Sequence, residues 1–125
     1  MIRVCKKMEK ENSAEISWTP RPWGGYEVIG AMKASNESGH QIKRIYVNPG
    51  ARLSLQSHQF RSELWCVVSG TAEATVGDQK RILKYGENIV VPQGTVHRLA
   101  NPDESVRLVV VEVQTGSSFD ENGRL

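Results

Sequence analysis

From about Tyr26 to Val113 the chain reads as short apolar or alternating runs separated by turn residues. Gln41 to Val47 is rich in β-branched and aromatic residues and closes on Asn48-Pro-Gly50. Ala51 to Ser57 follows as a further strand candidate, then Leu64 to Ser69, ended by Gly70. Thr71 to Val76 alternates small or apolar with polar residues, and Gly77-Asp78 turns it into Gln79 to Lys84. Tyr85 to Asn88 turns into Ile89 to Val91. Pro92-Gln-Gly94 leads to Val96 to Ala100, and Asn101 to Glu104 leads to the apolar run from Val106 to Val113. Turn signals at such regular short spacing predict an all-β sandwich or barrel. No long helical pattern interrupts them, which argues against a parallel sheet with crossover helices.

The first residues differ. Residues 1–17 are polar, rich in Lys and Glu, and expected as an N-terminal arm, either a short helical turn or a loose segment. Trp18 to Gly25 holds two prolines, two tryptophans and two glycines. The prolines exclude a helix interior, and the segment reads as an ordered loop pinned by aromatic burial. The expected layout is an arm (1–17), a barrel (18–118) and a C-terminal tail (119–125).

Length and composition narrow the picture only a little. The 125 residues suit one domain with a real core, at 38% hydrophobic and 24% charged residues. Sixteen basic and fourteen acidic residues are interspersed, so no nucleic-acid-binding face is expected. No apolar run is long enough to span a membrane and no secretory signal is present, which makes the cytoplasm the expected location. Cys5 and Cys66 are read as free thiols.

Chemistry concentrates around two of the three histidines. Gln56 and His58 are two apart and share one strand face. Glu63 opens the next strand and can point into the same space, and His97 can supply a fourth ligand. An amide oxygen, two imidazoles and a carboxylate suit a borderline or hard divalent cation. A pocket filled only by hydrogen bonds is the alternative, and Gln56 taken alone reads more often as a structural amide, its partners favouring ligation. His40 is expected in solvent, and Trp23 and Trp65 in the core. Only one of Lys43 and Arg44 can point inward. Gly50, Gly70, Gly86 and Gly94 are expected at turns with positive φ.

These residues carry a specific resemblance. Gly50, His58, Glu63 and Gly70 fall at the spacing of the first cupin motif, with Gln56 where that motif has its first histidine. Gly86, Pro92, Gly94, His97 and Asn101 match the second cupin motif in full. Arg21-Pro-Trp-Gly24, Lys43-Arg-Ile45, Arg61-Ser-Glu63, Trp65, His97-Arg98, Asn101-Pro102 and Glu112-Val-Gln-Thr-Gly116 further resemble type II mannose-6-phosphate isomerases, over about residues 18–118. In that family this cupin usually forms the C-terminal part of a bifunctional mannose-1-phosphate guanylyltransferase/isomerase.

The resemblance implies a single-domain, all-β cupin, that is, a double-stranded β-helix or jelly-roll barrel. It implies one divalent metal ion, Zn, Mn or Co, on Gln56, His58, Glu63 and His97, and an aldose–ketose isomerisation of mannose 6-phosphate to fructose 6-phosphate. It carries an activity-linked arginine onto Arg61, which can clamp a phosphate or stabilise an enediolate, although a plain surface charge is the bland alternative. Lys43 and Arg98 are further phosphate candidates, and a homodimer is expected. The general base is not identified.

Two departures qualify this. The family's Glu-His-Trp is Glu63-Leu64-Trp65 here, and no Gly-rich nucleotide-binding loop precedes the barrel. The metal should survive the first, because residue 64 faces away from Glu63. A non-catalytic phosphosugar-binding cupin, or a partner of a separate nucleotidyltransferase, is the alternative. A metal-dependent oxygenase ranks last, since an amide in place of an imidazole makes a poorer redox iron site.

Overall fold

The computed structural model describes residues 17–32, 38–120, 123 and 125. The expected arm and Cys5 therefore lie outside the described residues, apart from residue 17. Nine strands are described: β1 (Trp18–Arg21), β2 (Gly24–Met32), β3 (Gly39–Val47), β4 (Arg61–Ser69), β5 (Ala72–Val76), β6 (Gln79–Leu83), β7 (Asn88–Val91), β8 (His97–Ala100) and β9 (Leu108–Gly116). No helix is present among the described residues. The strands form a six-stranded antiparallel sheet in the order β1-β2-β3-β9-β4-β7 and a three-stranded one in the order β6-β5-β8.

Strand alternation sets the interior. Along β9, Leu108, Val110, Glu112 and Gln114 are buried, while Val109, Val111 and Val113 are only half-buried. The cross-strand register then changes the interior row by row. Ile45, Val110 and Val67 form an apolar row, and Val47 with Leu108 lies below it. One step along, Lys43, Glu112, Trp65 and Ile89 stand in register, and the next row is Gln41, Gln114, Glu63 and Val91. The smaller sheet contributes Ala72, Ala74, Leu83 and Leu99 to the same apolar cluster. One half of the barrel is thus hydrocarbon and the other half is polar and buried.

Two expected features are corrected. Trp18–Arg21 is a strand, not a loop pinned by aromatic burial, and Trp18 is half exposed. Proline excludes a helix interior but not an edge strand, and Pro20 sits on such an edge, opposite Gly25. Glycine at position 24 is required by close approach: a Cβ there would stand 2.0 Å from the Tyr46 carbonyl oxygen. Ala51 to Ser57 is not a regular strand. It runs beside β8 through isolated bridges, Arg52 with Ala100 and Gln56 with His97. The backbone bonds Leu53 N to Leu99 O and Gln56 N to His97 O hold it, while Leu55 O turns away to accept from Leu125 N.

The expected placements of Trp23 and Trp65, Lys43 and Arg44, His40, the four glycines and Cys66 hold. Trp65 is buried and Trp23 packs against the core. Lys43 points inward and Arg44 outward, and His40 is exposed. Gly50, Gly70, Gly86 and Gly94 all have positive φ. Cys66 is a half-buried free thiol on the outer face of β4.

Asn101, quoted in the second motif, has a structural role. Its buried side-chain amide donates to the carbonyls of Val47 (3.0 Å) and Val106 (2.9 Å), and its Oδ1 accepts from Asp103 N. These bonds tie the loop before β9 to the end of β3. Asn101→Ala leaves buried carbonyls without a donor, and we expect a loss of about 2–4 kcal/mol, read from the urea unfolding midpoint. An unchanged midpoint would remove Asn101 from this role.

Candidate metal centre and cavity

The polar half of the barrel gathers side chains from three places. Gln56 and His58 come from the extended segment beside β8, Arg61 and Glu63 from the start of β4, and His97 from the start of β8. Alternation sends Arg61, Glu63 and Trp65 inward together, while Leu64 faces outward, as expected. The bridge between Gln56 and His97 then sets both motifs side by side.

The distances define a compact donor set. His58 Nε2 lies 3.6 Å from Glu63 Oε2, and His97 Nε2 lies 3.7 Å from Glu63 Oε1. Gln56 Oε1 is 3.1 Å from His58 Nε2, and its amide nitrogen donates to Ser54 Oγ at 3.3 Å. His58, Glu63 and His97 are all buried. Their ligating atoms lie within 4.8 Å of one another.

Proton assignment tests whether an ion fits. The Thr95 carbonyl can only accept, so His97 donates through Nδ1 at 2.9 Å. That tautomer leaves Nε2 with a lone pair aimed at Glu63. Two acceptors face one another there. Burial and the nearby Arg61 guanidinium lower the His58 pKa to about 4, and burial lowers that of His97, so neutral rings are favoured. His58 Nε2 meets a second conflict: it cannot donate to Gln56 Oε1 and also accept from Arg61 Nη2, 3.0 Å away. Lone pairs converging without protons between them suit a cation, and ligand separations of about 3.4 Å follow from bonds of about 2.1 Å at tetrahedral angles. Arg61 already supplies positive charge here, through Nε to Glu63 Oε2 at 2.9 Å. An ion and this arginine rotamer compete for His58 Nε2 and Glu63 Oε2.

A second carboxyl, missed in the sequence, completes the site. Glu112 is buried beside Glu63, and Trp65 Nε1 donates to both, to Glu112 Oε2 at 2.9 Å and to Glu63 Oε1 at 3.2 Å. Gln114 Nε2 donates to the other oxygen of Glu112. Burial, then the charge and hydrogen bond of Glu63, push the Glu112 carboxyl up to about 8. The signal was available, since Glu112 is a lone acid inside the longest apolar run.

Beside the cluster lies a cavity enclosing about 80 Å³, whose wall includes Arg21, Tyr26, Lys43, Gln56, Arg61 and Glu112. That volume holds a few waters, so a larger ligand must extend into the mouth. Lys43 and Arg61 therefore reach the cavity, as the sequence suggested. Arg98 does not. It follows His97 on β8, alternation turns it to the opposite face, and its buried Nε makes no hydrogen bond. The described end of the chain also touches the site: Gly123 O accepts from Ser57 N, and the Asp120 carbonyl from Arg61 Nη1.

A two-sheet barrel with two histidines and a glutamate converging inside it is a cupin, and solved structures agree. A cupin from Shewanella frigidimarina superposes with a TM-score of 0.68 at 17% identity, covering 82% of this chain and 86% of that one. KdgF from a Halomonas species gives 0.65 at 19%, covering 82% and 90%. Within that class the chain belongs to the family described as "Mannose-6-phosphate isomerase C-terminal", whose profile matches residues 8–124. Among curated relatives, the xanthan biosynthesis protein XanB of Xanthomonas campestris is 41% identical over 95% of this chain and 25% of its own length. A protein named mannose-1-phosphate guanylyltransferase in Sinorhizobium fredii is 43% identical over 82% of this chain and 19% of its own length. The alginate biosynthesis protein AlgA of Pseudomonas aeruginosa is 41% identical over 93% and 22%. This chain thus spans a quarter or less of the length of these relatives.

The buried acids and bases set an expected pH profile for the metal-free protein. His58 titrates near 4 when folded and near 6.5 in its ordinary state, so stability falls as pH drops from 6.5 towards 4. His97 acts in the same direction. Glu112 keeps a proton in the folded state that a normal glutamate loses near 4.5, so its contribution fades as pH rises from 4.5 through about 8. Among the described residues with shifted titration, Glu112 is the one that adds a slope above pH 6.5. Urea midpoints between pH 6.5 and 9 should therefore decline, and Glu112→Gln should flatten that decline. A wild-type midpoint constant over that range would show that Glu112 titrates normally.

Proposed function

We propose that this chain is a metal-assisted sugar-phosphate isomerase interconverting mannose 6-phosphate and fructose 6-phosphate. One observation carries the reading: two imidazoles, two adjacent carboxyl groups and a guanidinium meet beside one cation-lined cavity. The family description and the mannose phosphate named for one relative support this substrate class. A divalent Zn, Mn or Co ion on His58, Glu63, His97 and Gln56 would supply Lewis acidity to the sugar oxygens.

One proton moves between the carbons and a second between the oxygens, and the chain supplies a carrier for the first. The C2–H bond of the aldose breaks, its proton passes to a base, and O1 gains a proton to form the enediol. The same proton then bonds to C1 while O2 loses its own, giving the ketose with no net gain or loss of atoms or electrons. Glu112 is the carrier we assign, because a carboxyl titrating near neutral pH can both take and return a proton. Trp65 N–H fixes it relative to Glu63. Arg61, oriented by its bonds to Glu63, His58 and the Asp120 carbonyl, is the group we assign to the developing negative charge of the enediolate.

A second reading has its own support. Leu64 stands where the family has histidine, and it lies exposed on the outer sheet face, opposite the exposed Val90 of β7. An apolar outer face suits a phosphosugar-binding barrel that docks on a separate nucleotidyltransferase.

Turnover of mannose 6-phosphate by chelator-stripped protein, before and after adding Zn, Mn or Co, tests the first reading. Activity should return with metal and vanish in His58→Ala. In Glu112→Gln, kcat should fall by about 10²-fold or more while metal binding persists. No turnover with any of the metals, despite a bound ion and a folded barrel, would reject the isomerase and favour the binding module.

A further inference from the structure

The two histidines of the site are held in different ways. His97 is fixed through its far nitrogen, which donates to the Thr95 carbonyl. Ligating imidazoles are ordinarily oriented through that second nitrogen. His58 makes its side-chain hydrogen bonds through Nε2, to Gln56 and Arg61, and among the described residues none reaches its Nδ1. Backbone stands there instead. A Cβ at Gly123 would overlap Nδ1 and Cε1 of His58 and lie 2.5 Å from the Ser57 carbonyl oxygen, so only glycine fits against this ring edge.

Gly123 reaches that position by backbone pairing. The segment carrying Gln56 and His58 bonds along both of its edges, as an inner strand does. On one edge Gln56 N donates to His97 O at 2.9 Å, Gln56 O accepts from His97 N at 2.8 Å, and the His58 carbonyl accepts from Gly94 N. On the other edge Ser57 N donates to Gly123 O at 2.9 Å, and Leu55 O accepts from Leu125 N at 3.0 Å. These outer bonds keep one antiparallel register, Ser57 with Gly123 and Leu55 with Leu125. The Asp120 carbonyl adds a third attachment by accepting from Arg61 Nη1. Gln56 and His58 therefore sit between β8 and the C-terminal residues, and a shift of either edge moves them.

We propose that Gly123 is a positioning residue of the metal centre, clasping the ligand-bearing segment on its outer edge and setting the tilt of the His58 ring. It acts through His58 and not on the substrate. The assignment rests on the metal site of the isomerase reading, and not on the reaction. Outer support of a ligating imidazole is worth about 10–100-fold in metal affinity. Linkage makes the effect reciprocal: an ion that prefers the clasped arrangement strengthens the clasp by the same factor.

Titration of the full chain with Co after chelator treatment tests this in Gly123→Ala. The added methyl must displace the ring or the segment, so affinity should fall by about tenfold or more, and the visible absorption of bound Co should change. Gly30→Ala, whose Cβ meets nothing nearer than 3.9 Å, should bind as the wild type does. A merely structural role would lower the urea midpoint of Gly123→Ala and leave the Co affinity of the folded protein unchanged. That result would overturn the proposal. Should Gly123→Ala not fold, amide exchange in the wild type decides. Exchange at Ser57 and Leu125 should slow by about tenfold or more when Co binds, and unchanged exchange at both amides would also overturn the clasp. The two readings separate cleanly: weakened Co binding in Gly123→Ala without wild-type turnover in any metal sinks only the isomerase. Wild-type turnover with unchanged Co affinity in Gly123→Ala sinks only the clasp.

Discussion

The carboxylate of Glu63 is the group on which the polar half of the barrel is organised. It is 4% exposed, and an isolated buried carboxylate costs several kcal/mol in lost hydration. Here the cost is offset on every side: Arg61 Nε and Trp65 Nε1 donate to it, two imidazoles face it, and Glu112 shares a proton with it. Each of these partners is itself buried, so each depends on Glu63 in turn. Such a cluster is tolerated when complete and costly when one member is removed, because the remaining charges lose their counterpart.

The barrel builds this cluster from ordinary strand geometry. Continuous pairing of β3, β9 and β4 puts Lys43, Glu112 and Trp65 in one row and Gln41, Gln114 and Glu63 in the next. A one-residue slip of β4 would exchange Glu63 for Leu64 on the inner face. The apolar rows below, with Val110, Val67 and Leu108 fully buried, hold that register, since slipping would expose them. The hydrophobic half therefore fixes the position of the polar half, and burial of valines on β9 sets the distance between the two carboxyls.

How much of this could be read from the chain follows the range of the interactions. Turn spacing announced the all-β barrel, and i to i+2 alternation put Gln56 with His58 and turned Leu64 outward. Those are local signals. His97 was offered as a fourth ligand from its place after a turn and the resemblance set it with the others, and the structure pairs it with Gln56 through a bridge. Trp18–Arg21 was misread because proline excludes a helix but not an edge strand. Ala51 to Ser57 has the composition of a strand, yet its ladder is broken where Leu55 bonds to Leu125. Arg98 was chosen for its charge and is excluded by the same alternation that qualifies His97. Glu112 was hidden by its context, an acid inside a valine-rich run, and only cross-strand register shows that it meets Glu63.

The two carboxyls share one indole donor and differ in their other partners, and that difference suits them to separate tasks. Glu63 is paired with the Arg61 guanidinium at 2.9 Å. Glu112 receives neutral donors from Trp65 and Gln114, and burial together with the neighbouring carboxylate outweighs the Lys43 charge that favours its ionisation. Glu63 is thus the acid placed to face a cation or the two imidazoles. The other, pushed up to about 8, exchanges its proton near neutral pH, which suits it to passing one between adjacent carbons. Replacing Gln114 by an apolar residue would remove a donor from Glu112 alone, and exchanging Arg61 for a neutral residue would remove the counter-charge of Glu63 alone. The division of labour is therefore encoded in which of the two acids stands next to the arginine, and β4 settles that by placing Arg61 and Glu63 two residues apart on one face.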